Sequence, residues 1–249
     1  MTPSLAPAAV RRRYGRLARV YDAAVRVYET VGLSSHRTLA VNALRLAPGD
    51  HVLDLGCGTG LNLPHLLAAV GPAGRVTGVD LSPAMLARAW ARCERAGWGN
   101  VTLVEADLAD WVPPPGIAGA LASYAIDFVP DPVPLFDWLA AALRPAARVA
   151  LLGMQRPPGV PRWLARLGAL PSRPFGVSLE TLERRPWVAL FERLERVELR
   201  PLSGGSVYLA VAEAPAAPGE RASVASAAGS TPSQSHSPAS RQTSRPEAS

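Results

Sequence analysis

The sequence predicts an α/β fold, a mostly parallel sheet wound with helices on both faces. Three observations carry that expectation. Short apolar runs alternate with helical patterns from His51 onward, the runs are nearly continuously apolar, and a glycine-rich turn follows the first of them. Strands of that composition are buried on both faces, and the helices that connect parallel strands supply the cover.

The elements follow in chain order. Arg11 to Glu29 reads as a basic helix in which Val10, Tyr14, Leu17, Tyr21, Val25 and Tyr28 recur every three or four residues as one apolar stripe. Such a helix packs on the domain, closes over a ligand as a lid, or lies in a membrane interface. Periodicity alone leaves the three open. Strand-like runs stand at His51–Leu55, Arg75–Val79, Val101–Glu105, Gly119–Ser123 and Arg148–Gly153, with helical patterns over Asn62–Val70, Pro83–Ala96 and Val133–Leu143. Ser82 before Pro83 places an N-cap hydroxyl ahead of an N1 proline.

From Gln155 to Pro174 the alternation is interrupted by a Pro- and Arg-rich insertion that carries Trp163, Leu164, Leu167 and Leu170. Two β-rich runs then flank Ser203-Gly204-Gly205, a hairpin signal that closes the sheet with an antiparallel strand. From about Ala214 the chain turns to Ala, Pro, Ser, Gly, Thr and Gln, too poor in large apolar side chains to offset its ordering entropy, so a disordered tail is expected. The expected organisation is a helical cap or lid over residues 1–45, a main domain over 46–213 with the insertion at about 155–180, and the tail over 214–249.

Composition narrows the function. Hydrophobic residues make up 48% of the 249, yet no stretch of about 18 apolar residues runs free of charge, and no apolar h-region follows Arg11–Arg13. A cytoplasmic protein is expected. Two cysteines, Cys57 and Cys93, form no CxxC pair, and His36, His51, His65 and His236 are scattered, so neither a disulfide framework nor a metal site is expected. The net charge is +6, but every basic residue is arginine, spread over many elements without a recognition motif. That pattern suits a solvated surface better than a nucleic-acid groove.

The chemistry concentrates where the first strand ends. In open α/β sheets ligands bind beyond the carboxyl ends of the strands, and Gly56, Gly58 and Gly60 occupy the first strand–helix turn. Glycines let a ligand rest against the main chain, though they also make ordinary turns. Asp80, at the end of the second strand, sharpens the reading, because an acid there accepts hydrogen bonds from both hydroxyls of a ribose. The spacing is GxGxG, whereas dinucleotide sites carry GxGxxG. Asp54, inside the strand, would repel a pyrophosphate but suits an ammonium and a sulfonium. S-adenosylmethionine is favoured over NAD.

"VLDLGCGTG", "VTGVDLSPAML" and "VTLVEADL" resemble the class I S-adenosylmethionine-dependent methyltransferases, in particular the small-molecule branch that includes quinone and phospholipid enzymes. The resemblance covers most of Tyr21 to Ala212 and implies a Rossmann-like sheet of seven strands, the last antiparallel, with the methyl donor across the first three strand ends. At the matching positions it implies that Asp54 orients the methionine ammonium, that Gly56, Cys57, Gly58 and Gly60 face the donor, and that Asp80 holds the ribose. It further implies Leu81 and Met85 beside the adenine, and Asp107 with Leu108 at its amino group. Asp107 equally suits a plain loop acid. Two departures are visible: the acid usually found before strand four is absent from "PPGIAGAL", and the usual "LRPGGR" reads "LRPAAR" at Leu143–Arg148.

In that family the stretch after strand four faces the substrate. Here it reads "SYAIDFVPDP", which makes Asp127 a candidate base and Tyr124 a candidate wall or hydrogen-bond donor, although both also suit loop capping. The Asn/Asp-Pro-Pro-Tyr/Phe motif of base-modifying enzymes is missing, and two cysteines are too few for arsenic chemistry. Such insertions often cover the acceptor, and with Tyr21 and Tyr28 this one could shield the sulfonium, since tyrosine faces attract cations. The expected activity is methyl transfer to a small, apolar acceptor, lipid-like, polyketide or quinone. Phospholipid head-group N-methylation, with membrane contact through the basic helix, is the enzyme alternative. A non-catalytic donor-binding module is the alternative of another class, and a nicotinamide-dependent oxidoreductase ranks below both.

Overall fold

The apolar runs become strands β1 (His51–Leu55), β2 (Arg75–Asp80), β3 (Val101–Glu105), β4 (Ile117–Ser123), β5 (Leu143–Met154), β6 (Glu195–Leu202) and β7 (Val207–Glu213) in the computed structural model. It describes residues 8–15, 17, 21 and 34–216. One sheet contains all seven, in the order β3-β2-β1-β4-β5-β7-β6. The first five strands are parallel, and β7 runs antiparallel to both β5 and β6. Helices α1 (Ser34–Ala43), α2 (Leu63–Val70), α3 (Pro83–Ala96), α4 (Val133–Ala142), α5 (Arg162–Gly168), α6 (Leu179–Glu183) and α7 (Pro186–Phe191) complete the chain order.

Successive side chains of a strand point to opposite faces, and the core divides accordingly. Leu53, Leu55, Val79, Ala120 and Leu151 pack on one face with Phe136 and Leu139 of α4 and Trp187 and Leu190 of α7. Val52, Val76, Leu121 and Leu152 pack on the other with Ala40, Val41 and Leu44 of the α1 region and Leu66 and Val70 of α2. Leu53 and Leu55 are fully buried, each contributing about 1.5–3 kcal/mol from removal of its side chain from water.

The strand order creates the site. From β1 the chain steps outward to β2 and β3, then returns to the opposite side of β1 as β4. The loops leaving β1 and β4 therefore diverge, and a crevice opens between them at the carboxyl ends of the strands.

Several boundaries differ from the sequence reading. β4 begins at Ile117 and β5 already at Leu143, with an irregular register between Ile117 and Gly119. Ser82 holds the N-cap position of α3, but its hydroxyl makes no cap bond and is buried without a partner among the described residues. Its main-chain N–H donates instead to Asp80. The hairpin is present, turning through Ser203–Gly205 with Gly204 at φ 63°. Ala214, placed in the tail by composition, is buried and donates its N–H to the Ala147 carbonyl at 2.8 Å. Residues 217–249 of the expected tail lie outside the described residues, as do Val25 and Tyr28 of the N-terminal helix, whereas residues 8–15, 17 and 21 are helical. Among the described residues no helix is long and apolar enough to cross a membrane.

Candidate active site

β1 ends at Leu55 and the chain turns at once. Gly56 adopts φ 69°, and both its N–H and that of Cys57 donate to the Val79 carbonyl, at 2.8 and 2.9 Å. The loop thus hangs from the end of β2. A Cβ on Gly56 would collide with the Cβ of Ala125 in the loop after β4, so the position admits glycine alone. Two residues on, Gly58 at φ 54° turns its N–H onto Asp80 Oδ2 at 2.8 Å, while Ser82 N–H reaches Oδ1 at 2.8 Å. Burial raises the Asp80 pKa, and these two donors oppose the rise. Each oxygen retains a lone pair for a further donor. Cys57 and Gly60 lie behind the loop: a Cβ on Gly78 would sit 3.0 Å from Cys57 Sγ, and one on Gly60 would sit 2.7 Å from Leu63 Cδ1.

Beneath the loop Asp54 is fully buried. Its Oδ1 accepts from Asn62 Nδ2 at 2.7 Å, and Asn62 Oδ1 accepts in turn from Arg37 Nη1 at 2.7 Å. Asp54 Oδ2 has no partner among the described residues. Burial pushes the Asp54 pKa up to about 7, against the Asn62 hydrogen bond and the Arg37 charge. A buried carboxyl with one oxygen unspent is a site for a cation, because leaving it unpaired is costly. Arg37, 6% exposed, lies 5.5 Å from the centre of the Tyr124 ring, and its Nε is likewise unpartnered among the described residues.

Two chambers meet over this floor. The first, about 740 Å³ with its mouth, is lined by Gly56, Gly58, Asp80, Leu81, Met85, Asp107 and Leu108 among others. The second, about 810 Å³ with its mouth, is lined chiefly by apolar side chains, including Met154, Phe175, Val177, Leu182 and Val207, with Arg37 and Asp127 as its charged groups. Tyr14, Tyr21, Tyr124 and Phe128 belong to both chambers. The rings of Tyr14, Tyr21 and Phe128 interlock edge to face with one another and with Phe175: Tyr14 stands 6.2 Å from Tyr21 and 6.1 Å from Phe128, and Tyr21 stands 5.7 Å from Phe175. The Tyr14 hydroxyl donates to the Phe175 carbonyl at 2.9 Å, tying the N-terminal segment to the insertion.

The loop after β4 supplies the remaining groups. Tyr124 holds φ 55°, a left-handed conformation rare for a non-glycine residue. Its N–H donates to the Leu152 carbonyl at 2.6 Å, and its hydroxyl is buried without a partner among the described residues. Burial raises its pKa. Asp127, 4% exposed, accepts from the Tyr208 hydroxyl at 2.9 Å. Burial pushes Asp127 up to about 7, against the Tyr208 hydrogen bond, the Arg184 charge and the Met154 N–H. A Cβ on Gly153 would collide with both Asp127 Oδ2 and the Tyr208 hydroxyl. Glycine at 153 is what lets this pair exist.

Of the residues singled out in the sequence, Tyr21, Gly56, Gly58, Asp80, Leu81, Met85, Asp107, Leu108 and Tyr124 line the first chamber. Asp127 lines only the second, while Asp54, Cys57 and Gly60 support the loop from below or behind. Asp107 lines the chamber and also accepts from Ala109 N–H at 3.0 Å in its own turn. Sequence reasoning named Tyr14 only within the apolar stripe and passed over Arg37, Asn62, Gly153 and Tyr208. Arg37 had left a trace: with Ala40, Val41 and Leu44, all buried, it shares one face of a helical pattern, where an arginine is out of place.

Residues 52–146 match the family described as "Methyltransferase domain". The chain is 32% identical to nocamycin O-methyltransferase of Saccharothrix syringae over 61% of its own length and 56% of the relative's. It is 34% identical to 2-phytyl-1,4-naphtoquinone methyltransferase of Synechococcus elongatus, over 61% of this chain and 66% of that one. The matched region therefore spans less than two thirds of these relatives. Among solved structures, geranyl diphosphate C-methyltransferase from Streptomyces coelicolor superposes with a TM-score of 0.59 at 19% identity, covering 72% of this chain and 75% of the other, a likeness of fold.

Proposed function

We propose that the chain, whose residues 52–146 match a methyltransferase domain, is a class I S-adenosylmethionine-dependent methyltransferase that transfers the donor's methyl group to a small acceptor held in the apolar second chamber. The observation that carries this reading is the meeting of a chamber that holds Asp80 and Asp107 among apolar residues with a second, chiefly apolar one, across a shared wall of Tyr14, Tyr21, Tyr124 and Phe128.

The residues present fit the donor. Asp54 offers its unpartnered Oδ2 to the methionine ammonium, and Arg37, one hydrogen-bonded residue away through Asn62, offers the cation that complements the methionine carboxylate. Asp80, already fixed by Gly58 and Ser82, takes the ribose hydroxyls. Leu81, Met85, Asp107 and Leu108 take the adenine, with the carboxylate of Asp107 accepting from its amino group. When bound, the donor supplies a methyl on a positively charged sulfur: the sulfur–carbon bond breaks as the acceptor–carbon bond forms, and the electron pair stays on sulfur as a neutral thioether.

The protein's part is chiefly placement and the exclusion of water, worth up to about 7–11 kcal/mol for well-oriented reactants. The edge-to-face aromatic cluster closes the junction, and its faces attract a sulfonium. Asp127 holds a carboxyl poised near neutrality, so in its ionised half it accepts the proton that an oxygen or carbon acceptor sheds. Tyr208 keeps that carboxyl in place. Tyr124, with a spare hydroxyl between the chambers, orients the acceptor. The lining of the second chamber favours an apolar body on that acceptor, and Asp127 and Arg37 are the polar groups it would meet.

Thermal unfolding with S-adenosylmethionine, S-adenosylhomocysteine and NAD in parallel tests the donor assignment. At about 100 times its dissociation constant a true ligand adds roughly 2.7 kcal/mol, enough to raise the midpoint by several degrees. Shifts with the first two compounds alone are expected. A shift with NAD alone, or with none, would remove the basis of the reading.

A further inference from the structure

The insertion, which the family resemblance implies as a cover over the acceptor, meets the second chamber through residues other than its large apolar set. Ser172, Phe175 and Val177 line the second chamber. Ala165 and Ala169 are the residues of the α5 region that turn inward, 7% and 6% exposed. Trp163, Leu164, Leu167 and Leu170 turn outward at 65%, 46%, 53% and 45% exposure. The segment is inverted, small residues in and large apolar residues out. Single exposed leucines are ordinary, but four neighbouring large apolar side chains in eight residues mark a surface that meets something apolar.

Within the segment itself the charge is of one sign. Between Gly159 and Leu179 there is no Asp or Glu, while Arg162, Arg166 and Arg173 are present and exposed. Arg162 pairs with Glu183 at 3.1 Å. Arg12 and Arg13 of the N-terminal helix line a shallow groove with Pro174 of the same segment, extending the basic rim. A second copy of the chain docked through the same face would bring Arg166 and Arg173 against their own like. Phosphate head groups over an apolar interior complement both the rim and its centre.

We propose that the outward face of α5 and the turn after it, Trp163, Leu164, Leu167 and Leu170 with Arg166 and Arg173, docks this protein on an anionic lipid bilayer. The same segment walls the second chamber, so the docked face lies beside the path by which an apolar acceptor leaves the lipid for the site. The docking goes beyond the methyl-transfer reading, and lipid binding is measured without donor or acceptor.

The test is co-sedimentation of the full chain with vesicles of phosphatidylcholine alone and of phosphatidylcholine mixed with phosphatidylglycerol. Sedimentation with the anionic vesicles, weakening as salt rises, is expected, with little on the neutral ones. Trp163→Ser/Leu167→Ser should lower the vesicle-bound to free ratio by at least about tenfold, and Arg166→Glu/Arg173→Glu should lower it on anionic vesicles, both with urea midpoints close to the parent's. Absence of binding to anionic vesicles at low salt would overturn the proposal. So would a double variant of Trp163 and Leu167 that folds and binds like the parent. Sedimentation velocity tests for the other occupant: a dimer that Trp163→Ser/Leu167→Ser dissolves would overturn the proposal and assign the face to a second copy instead.

Discussion

Replacing Asp127 by Asn removes a charge and keeps the shape, and the structure sets the size of the effect. In the folded protein the carboxyl titrates at about 7 where its ordinary value is 3.8, burial being the main cause. Between those values the folded state binds more protons than the unfolded chain, so this group's contribution is fully present below about pH 4 and is lost as pH rises through 7. The amide that replaces it stays neutral throughout and can still accept from Tyr208. The stability of Asp127→Asn relative to the parent should therefore rise with pH, by about 2.6 kcal/mol between pH 5 and pH 8 and little further above. Asp54 shows the same upward shift but is common to both proteins and cancels in the difference. Urea unfolding followed by tryptophan fluorescence at closely spaced pH values measures it, Trp187 standing 4.4 Å from the Tyr208 ring. A stability difference independent of pH would refute the reasoning, since it would mean that Arg184 and Tyr208 already carry the charge without cost.

Asp80→Ala should weaken binding of S-adenosylhomocysteine by about 5- to 150-fold, the loss of hydrogen bonds worth roughly 1–3 kcal/mol; titration calorimetry reads it, and unchanged affinity would detach Asp80 from the ribose. Because Asp54 titrates at about 7 and only its ionised form pairs with an ammonium, affinity for S-adenosylhomocysteine should rise roughly tenfold from pH 6 to pH 8. Asp54→Asn should bind weakly and without that slope. Arg37→Met removes a charge that favours ionised Asp54, so the rise in affinity should move to higher pH; an equal loss at every pH would place Arg37 on the ligand alone.

How far the sequence discloses this protein depends on which interactions are local. β1, its glycine turn and Asp80 are legible because each depends on near neighbours: an apolar run, a left-handed turn, an acid at a strand end. The parallel direction of the strands follows from their alternation with helices, and the antiparallel close from the Ser203–Gly205 turn, while the strand order comes from the structure. The Asp127–Tyr208 pair is not legible, since 81 residues separate its members and the condition for their meeting is a missing Cβ at Gly153 on β5. Arg37 is half legible, visible as a charge on an apolar helical face but without its partner Asn62, which arrives only through the packing of α1 on the turn before α2. The insertion misleads for a related reason. Its Trp and Leu residues read as the apolar face of a cover over the acceptor, whereas Ala165 and Ala169 are the residues that turn inward. Hydrophobicity states what leaves water when a partner is available, and the local spacing of Trp163, Leu164, Leu167 and Leu170 does not say whether that partner is the protein's own core or a surface outside it. The arginines beside them carry the additional information, because a core would exclude Arg166 and Arg173 and an anionic interface would retain them.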